Sequence, residues 1–147
     1  MNLFSIFSHS FAHGVHPAHH KGQTEDLAIQ RVPFGSRYVM PLGQHIGAPA
    51  IAVVSKGQAV RRGQLIAKPG GFISTALHSP VTGSVTEISP QRTQNGSFQP
   101  AIVIEADPFS TQRLETHPPS SWESLSLEAF IELIQQAGIV GMGGAAF

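Results

Sequence analysis

Cysteine is absent from all 147 residues. That excludes a disulfide framework and any cysteine-ligated iron–sulfur cluster within this chain. Nine basic residues balance nine acidic ones, so the sequence lacks the electrostatic footprint of a nucleic-acid binder or of a protein held by net charge to anionic lipid. Aromatic residues make up only 7%, which argues against a core built on stacked rings. No apolar run approaches the roughly 18–20 residues of a membrane-spanning helix. The stretch Leu3-Phe4-Ser5-Ile6-Phe7 is too short, and too bare of flanking charge, for a secretory signal. Acidic residues are sparse and scattered, so neither a paired-carboxylate nor a Ser/His/Asp arrangement is visible and no residue is assigned a catalytic role.

What is present points to β structure. Apolar residues reach 41%, enough for a core, and 15 glycines with 11 prolines favour short strands joined by turns over a helical bundle. Residues 1–37 show little periodicity and read as an extended N-terminal arm. Residues 38–106 break into short apolar segments punctuated by Gly and Pro. Strands are expected at Tyr38–Leu42, Ala50–Val54, Gln64–Ala67, Phe72–Ser74, Gly83–Ile88 and Pro100–Glu105. Ile46–Val53 is echoed weakly by Leu77–Val85, as two similar β halves would be. Residues 107–123 read as a polar linker. Within 124–147, Leu127, Phe130, Ile131 and Ile134 fall at i, i+3, i+4 and i+7, which predicts an amphipathic helix. Ser126 suits its N-cap, Glu128 the positive end of its dipole and Gly138 the position just past its end.

The histidines allow two readings each. His9, His13, His16, His19 and His20 crowd the arm, but no cysteine or acidic residue is interleaved to complete a metal site, and none is assigned. His45 and His78 occupy equivalent places in the two β halves. They are a proton or ligand site on a pseudo-twofold axis, or half-buried side chains that hydrogen-bond turn backbone, and the second reading is preferred.

The run Lys56-Gly57-Gln58-Ala59-Val60-Arg61-Arg62-Gly63-Gln64-Leu65-Ile66, with Ser79-Pro80-Val81-Thr82-Gly83-Ser84-Val85, resembles biotinyl and lipoyl carrier domains. The resemblance implies a mostly β barrel-sandwich hybrid whose two tight turns each need glycine. A carrier also needs a lysine at its exposed hairpin tip. This tip reads Pro69-Gly70-Gly71-Phe72-Ile73-Ser74, and Lys68 comes too early to project from it. The fold is therefore expected without the carrier function.

The chain closes on Gly138-Ile139-Val140-Gly141-Met142-Gly143-Gly144-Ala145-Ala146-Phe147. Glycine-rich loops bring bare N–H groups to a phosphate or flavin, whereas a helix C-cap with a flexible tail has the same composition. Together with Gly14-Val15-His16-Pro17, Gln44-His45-Ile46-Gly47-Ala48-Pro49 and the two turns, this ending is similar to the N-terminal region of RnfC, the peripheral subunit of the Rnf ion-translocating electron-transport complex. The resemblance implies part of a longer redox protein at the cytoplasmic face of a bacterial inner membrane, coupling NADH or ferredoxin chemistry to ion translocation, with other subunits of the membrane complex as partners. It implies FMN and NADH for the full-length parent, 4Fe–4S clusters in the parent only, and none of these bound to this chain alone, which would be inactive by itself. Gly141, Gly143, Gly144, Ala145 and Phe147 match the cofactor-binding loop, which would open a truncated flavin/NADH-binding domain. Ala146 departs from the family, which usually has glycine there. The alternative is a stand-alone, non-catalytic barrel-sandwich interaction module.

Overall fold

The computed structural model describes residues 18–115, 122–141 and 146. Two compact units divide the chain, residues 1–33 and 34–147. In the first, the described residues are exposed and form one turn, in which the amides of Thr24 and Glu25 donate to the carbonyl of Lys21 at 2.8 and 2.9 Å.

The second unit is the β body. Its strands are β1 (Arg37–Pro41), β2 (Ile51–Ala52), β3 (Ala59–Val60), β4 (Leu65–Lys68), β5 (Leu77–His78), β6 (Gly83–Arg92) and β7 (Phe98–Ala106). They form a four-stranded sheet in the order β1-β7-β6-β3 and a three-stranded sheet in the order β2-β4-β5, with every pairing antiparallel. This is a barrel-sandwich hybrid. The faces that meet supply the core, with Val60, Ile66, Val81, Val85, Ile102 and Ile104 almost wholly buried. β7 lies between β1 and β6 and is buried from Ala101 to Ile104, which suits its unbroken apolar run.

β6 looks inconsistent with a strand, because Val85 and Ile88 are three residues apart. A β-bulge between Val85 and Glu87 takes up the extra residue, so that Val85 pairs with Ile104 and Ile88 with Ile102. Directly opposed residues share a face, so the bulge returns Ile88 to the same face as Val85, although only Val85 is buried and Ile88 stays 38% exposed.

The two tight turns use one device twice. Gly57 and Gly63 adopt φ of +85° and +90°, the region that glycine enters without steric cost. In Ser55-Lys56-Gly57-Gln58 the Gln58 Oε1 accepts from the Ser55 amide at 3.0 Å, and in Arg61-Arg62-Gly63-Gln64 the Gln64 Oε1 accepts from the Arg61 amide at 2.9 Å. Each glutamine thereby closes its own turn.

The expected strand at Phe72–Ser74 does not form. The Gly70 amide donates to Ser74 Oγ at 2.8 Å and the Ala48 amide to the Ile73 carbonyl at 2.9 Å, so the tip is tied into a loop and cannot join a ladder. β5 forms instead just beyond it. Lys68 ends β4 paired with Ile51, just before the tip begins at Pro69.

Candidate functional site

The candidate site begins with helix α1 (Leu127–Gln136), which follows a short 3-10 turn at Trp122–Ser124. Ser126 caps it: in extended conformation, its hydroxyl accepts from the Ala129 amide at 3.2 Å. Glu128 lies in the first turn, and its carboxyl is held below its ordinary 4.5 by a hydrogen bond from its own backbone amide and then by one from Ser126. Gly138, at φ +72°, ends the helix in the left-handed conformation of a C′ residue.

The last turn of α1 is fastened to the barrel. The carbonyl of Gln135, near the end of the helix where carbonyls run out of intrahelical donors, accepts from the Ala76 amide at 2.9 Å and from Thr75 Oγ1 at 3.0 Å. The Gln135 side-chain amide donates to the Phe72 carbonyl. Gly138 packs so closely that a Cβ there would stand 2.9 Å from the Ala76 carbonyl oxygen and 3.3 Å from His78 Nδ1. The clamp is therefore made by residues 72–78, the tip and the start of β5.

His45 supports the clamp from behind. The Thr75 amide lies 3.4 Å from His45 Nε2, and His45 Nδ1 is 3.0 Å from the Ile46 carbonyl. A neutral ring with its proton on Nδ1 satisfies both contacts, donating at Nδ1 and accepting at Nε2. His45 thus hydrogen-bonds loop backbone. His78 is half-buried against Gly138. Both histidines flank the point where the glycine-rich loop departs. Among the described residues no group of three His, Cys, Asp or Glu could hold a metal, while His9, His13 and His16 lie outside the described residues.

A groove of about 580 Å³ opens between the tip and α1, lined by Ile46, Phe72, Ile73, Ile131, Ile139 and others. Gly141 and Ala146 stand on its rim. Gly143, Gly144, Ala145 and Phe147 lie outside the described residues. Ala146 has φ +56°, so the backbone takes the left-handed shape that glycine would take freely, at a cost of about 1–2 kcal/mol for a residue with a Cβ. A single left-handed residue is one element of an anion-binding nest, and the residues on either side of Ala146 lie outside the described residues.

Sequence reasoning missed Gln112. It is only 8% exposed and has φ +54°. Its carboxamide accepts from the Thr82 amide at 2.7 Å and donates to the Thr82 carbonyl at 3.0 Å and the Asp107 carbonyl at 3.2 Å. Arg62 Nη1 adds a bond to the Gln112 carbonyl at 3.1 Å, while its guanidinium stacks over Phe34 at 5.0 Å. The first part of the expected linker is thereby stitched to the barrel. Glutamine in a polar, proline-bearing stretch gives no hint of this in sequence.

With that geometry in view, comparison with known proteins identifies the lineage. The family model of the RnfC barrel sandwich hybrid domain matches residues 9–108. The chain belongs to this RnfC family. It is 44% identical over 141 residues to the RnfC-type protein of the ion-translocating oxidoreductase complex of Pseudomonas aeruginosa, an alignment covering 95% of this chain and 18% of that protein. The corresponding protein of the proton-translocating ferredoxin:NAD(+) oxidoreductase complex of Clostridium ljungdahlii is 40% identical, with 94% and 30% covered. The Na(+)-translocating counterpart from Acetobacterium woodii is 32% identical, with 94% and 31% covered. The chain thus spans less than a third of the length of these RnfC relatives. No helix among the described residues is long and apolar enough to cross a membrane.

Proposed function

We propose that this chain acts as the N-terminal part of an RnfC-type component of an Rnf complex, one that couples ferredoxin or NADH redox chemistry to ion translocation. Its barrel, residues 38–106, serves as a docking and positioning body, and residues 124–147 begin the cofactor domain. The observation that carries this reading is the clamp on Gln135, which fixes the point from which the glycine-rich loop departs. A loop with no role needs no such anchorage, given the ordering entropy it costs.

In the full-length parent, FMN would be held by the backbone of Gly141, Gly143, Gly144, Ala145 and Phe147. A bound flavin supplies the ability to accept a hydride, two electrons at once, and release them singly. This chain's own residues anchor and aim the loop, and the apolar groove beside it keeps water away. The 4Fe–4S clusters belong to the parent beyond this cysteine-free stretch. The partners are other subunits of the complex, with the protein peripheral at the cytoplasmic face of the membrane.

Blotting membrane and soluble fractions of the source cells with an antibody to residues 38–105 tests the proposal. A much larger band in the membrane fraction, carrying flavin and iron, is the expected outcome. A soluble, colourless product near 15.6 kDa would sink it in favour of a stand-alone interaction module.

A further inference from the structure

A second concavity, of about 440 Å³, lies on the segment that Gln112 locks to the barrel. Its lining comprises Arg61, Thr82, Ser110, Thr111, Arg113, Leu114 and Glu115. The loop over it is unusually well held. Besides the three bonds of the Gln112 carboxamide, the Asp107 amide donates to the Thr82 carbonyl at 2.9 Å and the Glu115 amide to the Arg62 carbonyl at 2.7 Å. Gln112 itself sits in a left-handed conformation that costs a side-chain-bearing residue energy.

Hydrogen-bond accounting of the lining gives it a sign. The guanidinium groups of Arg61 and Arg113 make no hydrogen bond or ion pair with any described residue. Ser110 Oγ accepts from the Gln112 amide at 3.2 Å and Thr82 Oγ1 from the Arg62 amide at 3.0 Å. Each hydroxyl uses its oxygen toward the protein, which leaves its hydrogen to donate outward. The Thr111 hydroxyl has no partner among the described residues. Among the described residues, two cations without partners and three available hydroxyl donors thus line one cavity. Glu115, half-buried at its edge, is the carboxylate on the lining.

We infer that this cavity binds a phosphate group, with Arg61 and Arg113 as its charged ligands and Ser110, Thr111 and Thr82 as hydroxyl donors. Guanidinium forks match the oxygens of a phosphate, and hydroxyls complete its shell. The phosphate is borne either by a soluble small molecule or by a lipid headgroup. The inference is independent of the redox proposal, since it concerns a different face and none of the glycine-rich loop.

Titration of the ¹⁵N-labelled full chain with inorganic phosphate, at ionic strength held constant with chloride, tests it. Saturable amide shifts confined to Thr82 and residues 110–115 are expected. Arg61→Gln and Arg113→Gln, both exposed and therefore safe for the fold, should each weaken binding roughly tenfold. Vesicles of phosphatidylcholine, with and without phosphatidylglycerol, separate the sources. Pelleting with the anionic vesicles alone, lost in the double variant, assigns a lipid headgroup, and phosphate saturation without pelleting assigns a soluble ligand. Shifts that stay linear to about 50 mM phosphate, or that persist unchanged in the double variant, overturn the inference.

Discussion

At Thr75 one hydroxyl and the next residue's amide converge on the same carbonyl, that of Gln135. Removing the hydroxyl while keeping the shape, as in Thr75→Val, leaves a valine methyl against that carbonyl and should cost about 1 kcal/mol. The loss is local, so hydrogen exchange of the Ile134–Ile139 amides should speed up while the urea midpoint of the barrel barely moves. Gly138→Ala should act more strongly. Its Cβ would meet the Ala76 carbonyl oxygen at 2.9 Å at φ +72°, a strain of about 2 kcal/mol, and the same amides should lose most of their protection. By contrast Ile104→Ala, at a wholly buried position, should lower global stability by about 3 kcal/mol in urea unfolding. The residues of the clamp are only partly legible in sequence. Gly138 and Ser126 declare themselves through capping rules. The expectation that His45 hydrogen-bonds turn backbone is met by its contacts with Thr75 and Ile46. Thr75 and Gln112 give no signal, because their importance comes from partners 60 and 30 positions away.

Helix α1 is fastened to the barrel through its C-terminal turn, and none of its residues is buried, with Leu127 69% exposed. Its amphipathic spacing is only partly used within this unit, where Leu133 and Ile134 are half-buried, and the rest of the proposed longer protein is the natural cover. Ile131→Lys should leave the unfolding free energy measured in urea within about 0.5 kcal/mol of the unsubstituted chain's, as exposed substitutions do. The same change in the longer protein should reduce recovery of the assembled complex from membranes, and unchanged recovery would count against the docking role. The N-terminal end of α1 has its own pH response. Glu128 titrates below 4.5 in the folded chain, so its contribution is fully present above 4.5 and fades as pH falls through that lowered value. Helical circular dichroism should show fraying of the first turn in that acid window, and Glu128→Gln should abolish the dependence. The strands are legible where apolar runs are long, as in β7, and illegible where two residues suffice, as in β5. The bulge in β6 explains why its apolar spacing departs from a strict two-residue period.

Across the whole molecule, the barrel is readable because its turns carry glycine at fixed intervals, and turn chemistry is local. The stitching of residues 107–115 across the barrel is not, since it depends on long-range pairing between polar groups. The domain architecture that carriers use to present a prosthetic group is retained without the lysine, and the tip where that lysine would stand presents Phe72, 86% exposed, and the carbonyl that Gln135 grips. A carrier's tip is useful because it travels, taking its cargo from one catalytic centre to another. Here the corresponding hairpin is bolted to a helix. In the longer protein proposed above, a group carried next to that helix would be handed on between stationary posts and not ferried between shores.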